Sequence, residues 1–111
     1  MREDIIRALQ NMVDRIGEPK LQKRFENFDR VLVMSFKDEE FDVKIRFENG
    51  NATVEEGMPE NPDMTVTTDS VTILQVLDGS LSAMRAFMGG QIVAKGSTRD
   101  LLKLQHLLKA Q

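Results

Sequence analysis

Phe41, Val43, Ile45 and Phe47 alternate without a break against Asp42, Lys44, Arg46 and Glu48. Successive strand residues point to opposite faces, so this spacing requires a strand with one buried face and one wet face. Asn49-Gly50 follows at once, and a tight primed turn needs the positive φ that these two residues accept. Residues 51–55 then form the returning strand, with Ala52 and Val54 inward. Upstream, residues 31–36 (Val-Leu-Val-Met-Ser-Phe) are apolar on both faces and read as a central strand, joined to the next by the polar turn Lys37 to Glu40. A sheet that begins as an antiparallel meander with one apolar face needs a second layer to cover it.

Helical periodicities supply that layer. Ile5, Ile6, Leu9, Met12, Val13 and Ile16 share one face of a helix over residues 3–16, stopped by Gly17 and Pro19. Leu21, Phe25 and Phe28 continue an apolar face in a second short helix, with Lys20, Lys23 and Arg24 on its solvated side. After a loop over residues 57–62, Met64 and Val66 alternate with threonines in a fourth strand. Thr68, Asp69 and Ser70 cap a helix whose Val71, Leu74 and Leu77 run down one face to Gly79. Leu81, Met84, Phe87 and Met88 predict another short helix, capped by Ser80 or Ser82. Residues 91–95 read as the fifth strand. Ser97 and Asp100 resemble a capping box for a last helix that carries Leu101, Leu102, Leu104, Leu107 and Leu108.

The order is two helices, three strands, a strand, two helices, a strand and a helix. One-sided sheet and one-sided helices pack as an α+β sandwich of two layers. At 111 residues, without repeat or low-complexity tract, residues 1–111 form a single domain.

Side-chain chemistry excludes several functions. A net charge of −3 and no basic patch argue against nucleic acid. The absence of cysteine removes disulfides, thiol catalysis and thiolate metal sites. The lone His106 among leucines has no partner set for a metal and reads as an exposed or boundary helix residue. In Glu39-Glu40 and Glu55-Glu56, neighbouring side chains diverge, so neither pair converges on a substrate. Gly89-Gly90 near Lys95 lacks the spacing of a phosphate loop. No catalytic residue, metal or cofactor is expected. No apolar run is long enough to span a membrane. Neither the charged start nor the end, Leu108-Lys109-Ala110-Gln111, resembles a targeting signal, so a cytoplasmic location is expected.

One stretch is more specific. Ala86-Phe87, Gly90, a short strand, Gly96 and Lys103-Leu104 follow Asp63, Asp69 and Gly79 in an order and spacing that resemble the sterol carrier protein 2 family. The likeness runs from about Phe28 to Leu108 and is strongest from Pro62 to Leu104. Ser97 stands where that family commonly has Asp, and Gln91 and Val93 where Lys is frequent. The resemblance implies a five-stranded, mostly antiparallel sheet, helices on one face, and an apolar tunnel between the layers. It also implies binding, with or without transfer, of a fatty acid, fatty acyl-CoA, isoprenoid or sterol-like molecule.

Seven methionines beside six phenylalanines suit a lining that adapts to varied shapes. The expected lipid-binding residues are Phe25, Phe28, Leu74, Leu77, Leu81, Met84, Phe87, Met88, Leu101, Leu104 and Leu108. The alternative is a non-catalytic interaction or assembly module, such as an accessory factor of lipid or quinone metabolism. Its contact, with itself or another protein, would use the last helix, whose leucines cover more than one face.

Overall fold

Asn49 and Gly50 both have positive φ, 50° and 80°, and close the hairpin between β2 (Phe41–Glu48) and β3 (Asn51–Glu56). The computed structural model describes residues 2–109. β1 (Arg30–Phe36) pairs antiparallel with β2 through Leu32 opposite Ile45 and Met34 opposite Val43. All four of these side chains are buried on the face that the helices cover. The opposite face is polar, and there Lys44 and Glu55 form an ion pair at 3.1 Å.

Beyond β3 the chain leaves the meander. β4 (Met64–Thr68) lies on the far side of β1 and runs parallel to it, and β5 (Val93–Lys95) closes the sheet antiparallel to β4. The order is β3-β2-β1-β4-β5, so β1 is the middle strand. This explains why both of its faces are apolar: Val33, on the side away from the helices, is also buried. The five-stranded, mostly antiparallel α+β sheet matches the expected fold.

Five α-helices lie among the described residues. α1 (Arg2–Asp14) continues through a 3₁₀ turn at Arg15–Gly17 and buries Ile5, Leu9, Met12 and Val13. Pro19, read as a stop, is also a start: it occupies the first turn of α2 (Pro19–Phe25), where its fixed φ is already helical. Phe28 therefore lies outside that helix, beyond Asn27 at φ 63°. It still joins the core, because the rings of Phe25, Phe28 and Phe47 meet with centroids 5.3–5.5 Å apart.

α3 (Ser70–Asp78) is capped as expected, the Asp69 carboxylate accepting from the Thr72 amide at 2.8 Å, and Gly79 ends it at φ 87°. Its buried face is not the expected one. Ser70, Ile73 and Val76 point inward, Leu74 and Leu77 are half-buried, and Val71 is exposed. The helix carries two neighbouring apolar stripes of equal period, and packing against the sheet selects the stripe one step removed.

α4 (Ala83–Met88) begins at Ser82, whose hydroxyl accepts from the Arg85 amide. Gly90, at φ 81°, lets the Gln91 and Ile92 amides both donate to the Ala86 carbonyl, and this turn consumes the residues expected to open β5. α5 (Thr98–Lys109) has half of the expected capping box: Ser97 Oγ accepts from the Asp100 amide at 3.2 Å. The Asp100 carboxylate turns instead to Arg30.

Candidate apolar cavity

Met34 of β1, Val66 of β4 and Ala94 of β5 are direct neighbours across three strands, and all face the helices. They form the floor of a cavity of about 350 Å³. Alanine matters at this place. Its short side chain, with Ala83 at the start of α4, leaves unfilled the space that larger residues would occupy. Met12 of α1, Ile73 of α3, Met84 and Phe87 of α4, and Leu101, Leu104 and Leu108 of α5 build the walls, with Ile92 beneath α4. Three of the fifteen lining side chains are methionines, flexible enough to move around an occupant.

The electrostatics are plain. Among the described residues, Thr98 and Gln105 alone bring polar side chains to the lining, and none of the lining residues is charged. An ionised group would lose its hydration there without gaining a counter-charge, so the interior suits hydrocarbon. No cluster of His, Asp or Glu among the described residues has the arrangement of a metal site. His106 is half-buried on α5 and does not line the cavity.

Of the expected lipid-binding residues, Met84, Phe87, Leu101, Leu104 and Leu108 are brought together around this space. Phe25 and Phe28 are committed to the aromatic cluster with Phe47. Leu74, Leu77 and Leu81 pack as half-buried residues against the main core. Met88 points into solvent and is 78% exposed. The lining residues that sequence reasoning missed, Met12, Met34, Val66 and Ile73 among them, carried a signal only as apolar positions of periodic elements. Ala83 and Ala94 carried none, since they contribute by being small.

The fold and the cavity together define a class: a sheet covered on one face by helices that stand far enough from its β4–β5 side to leave an apolar chamber. The chain belongs to the SCP-2 sterol transfer family, whose profile matches residues 9–109. Among solved structures it is similar to the sterol carrier protein domain 2 of Helicoverpa armigera. That match has a TM-score of 0.75 and 17% identity over 96% of this chain and 88% of that one. It is also similar to palmitated SCP2L2 from Aedes aegypti, with a TM-score of 0.72 and 18% identity over 94% and 93% of the two chains. The inverting sec-alkylsulfatase Pisa1 from Pseudomonas sp. contains a similar region, with a TM-score of 0.68 and 23% identity. There the match covers 81% of this chain but only 14% of the sulfatase. At these identities the likeness shows the fold. No curated protein matches the sequence. No helix among the described residues is long and apolar enough to cross a membrane.

Proposed function

We propose that this domain binds the hydrocarbon part of a lipid in the cavity between the sheet and α4–α5, and shields it during transfer. The observation that carries this reading is an apolar chamber of about 350 Å³ whose lining, among the described residues, includes only two polar side chains, both uncharged. At roughly 30 Å³ for each small molecular group, that space takes about a dozen chain carbons. Burial at roughly 0.8 kcal/mol per methylene gives about 9 kcal/mol gross, enough to exceed the cost of ordering a flexible chain. Membership of a sterol transfer family and the shared fold of a palmitated relative support the same reading.

A single acyl or isoprenoid chain fits this volume better than a ring system that needs a wide, rigid slot, because the adaptable methionine walls suit a bent chain. A charged head, carboxylate or phosphate, stays at the mouth, since the described lining residues offer no counter-charge. The domain acts by binding and not by catalysis. Native mass spectrometry of the purified protein, followed by organic extraction, tests the proposal. A lipid near one per chain, or displacement of a fluorescent fatty acid by unlabelled chains at micromolar concentration, supports it. Protein that is empty and refuses both fatty-acid and sterol probes refutes it.

A further inference from the structure

Thr98, Leu101, Gln105 and Leu108 recur along α5 at intervals of three and four residues, so the wall they give the cavity is one helix face. A face that only had to hold hydrocarbon would be apolar at all four positions. Met84, Phe87 and Leu102 line the chamber yet are 43%, 49% and 50% exposed, so it opens between α4 and α5 at their level. Thr98 is the first residue of α5 and is exposed, which leaves its hydroxyl open to solvent. Gln105 differs from it. It stands about 10 Å further along the helix axis, roughly two turns on. There it is half-buried, with the half-buried Leu101 and Leu108 on either side of it on the same face. Among the described residues nothing hydrogen-bonds its carboxamide.

A carboxamide carries two N–H donors and an acceptor oxygen. When hydrocarbon fills the chamber, that group loses part of its hydration and gains nothing in return; a polar atom on the ligand restores the bond. The choice of polar atom is limited by charge. An ionised head that followed its chain inward would lose its hydration with no cation among the described lining residues to replace it. A hydroxyl or carbonyl oxygen has far less hydration to lose. We infer that Gln105 selects lipids whose polar group is an uncharged oxygen, a hydroxyl or a carbonyl. Its Nε2 donates to that oxygen, and its Oε1 accepts in turn when the group is a hydroxyl. The apolar remainder of the ligand lies along Leu101, Leu104 and the sheet floor. This selectivity rests on the lipid-binding reading above and narrows its ligand class, since an ionised fatty acid must leave Gln105 unpaired.

The test compares decan-1-ol, decan-2-one, decanoate and 1-chlorodecane, which share a chain and differ in the head, as competitors of a fluorescent fatty acid on the wild type and on Gln105→Leu. The probes differ in their own affinity for water, but that difference is common to both proteins and cancels when the ratios are compared. Relative to 1-chlorodecane, decan-1-ol is expected to lose about five-fold in Gln105→Leu, the range of one neutral hydrogen bond. Decanoate should keep its ratio, because its head stays in water. A loss shared by decan-2-one means that any acceptor oxygen is read; a loss confined to decan-1-ol means a hydroxyl is. Both results support the assignment. Gln105→Met, close to glutamine in length, repeats the comparison should Gln105→Leu fold poorly. Ratios that do not change between the proteins overturn the selectivity and leave the lipid-binding reading standing. So does a decanoate ratio that falls as far as that of the alcohol, or an alcohol ratio that falls in Thr98→Val and not in Gln105→Leu. A wild type that binds none of the probes refutes the lipid-binding reading, and this inference with it.

Discussion

The Arg30 guanidinium donates from Nε to Asp100 Oδ2 at 2.9 Å, joining the first residue of β1 to the first turn of α5 across seventy positions of chain. This bond holds the start of the helix that forms one wall of the cavity. It also explains why Asp100 does not complete the capping box: a tertiary cation offers its carboxylate more than the local amide does.

The Asp100 side chain is 8% exposed, while that of Arg30 is well exposed. Removing the arginine strands a nearly buried carboxylate, so Arg30→Met is expected to cost more than Asp100→Asn. A charge-assisted bond of this kind is worth about 1.5–3 kcal/mol when one partner is lost. Urea denaturation of both single variants and the double variant measures the coupling. A cycle with no coupling energy would mean that α5 is held by its leucines alone.

Gly96 makes a second constraint near the same helix. Its φ is 151°, and a Cβ added there would lie 3.0 Å from Met64 Cγ and 3.2 Å from the Asp63 carbonyl oxygen. Gly96→Ala therefore combines backbone strain with a clash against β4, and about 1–3 kcal/mol of destabilisation is expected. Gly17 has open space around it and no positive φ. Gly17→Ala should be neutral or stabilise by up to about 1 kcal/mol, by narrowing the unfolded ensemble. Thermal melts of the two variants should move in different directions or by clearly different amounts.

These contacts show where local pattern stops being informative. The alternation of Phe41, Val43, Ile45 and Phe47 needs no partner to be read, because a strand's period is a property of its own backbone. Asp69 and Ser82 announce their helices for the same reason. The cavity floor is different. Met34, Val66 and Ala94 become neighbours only because β4 leaves the meander and pairs parallel with β1. No residue of β4 encodes that choice locally. The lining was legible where apolar bulk reaches into it, at Met84, Phe87, Leu101, Leu104 and Leu108, and silent at Ala83 and Ala94. Phe25 and Phe28 show the converse: their bulk is spent on the aromatic cluster under α2.

Acid should act on the fold through Asp38. The Ser70 hydroxyl, and then the Ser70 amide, donate to its carboxylate and hold its pKa below the usual range for aspartate. The Ser80 hydroxyl and amide act in the same direction on Asp78. A carboxyl whose folded pKa is depressed contributes stability above its unfolded pKa. That contribution is lost as pH falls through the folded value. Stability is therefore expected to hold down to about pH 4, near the ordinary aspartate pKa, and to decline below it. Ser70→Ala should flatten this acid limb while lowering stability at neutral pH, because Asp38 loses its main partner. Urea midpoints at neutral pH and across the acid range check the sign, and an unchanged acid limb in Ser70→Ala would remove Asp38 as its source.

The cavity can be tested by filling it and by charging it. Ala94→Phe places a ring on the floor between Val66 and the walls, in space that is empty in a domain otherwise packed against its sheet. A fatty-acid probe should bind at least ten-fold more weakly, while the melting temperature holds or rises, since the new ring gains contacts instead of displacing neighbours. Phe87→Asp sets a carboxylate at the mouth from a half-exposed position, so the fold should survive and binding fall by a similar factor. Leu104→Asp would not separate these effects, because Leu104 is both wall and core. The two chosen variants act by opposite physical means, lost volume and added charge. If both fold and both retain full affinity, the ligand does not occupy this chamber. If Ala94→Phe alone loses affinity, the chain lies deep on the sheet and the Phe87 side of the mouth remains open to water.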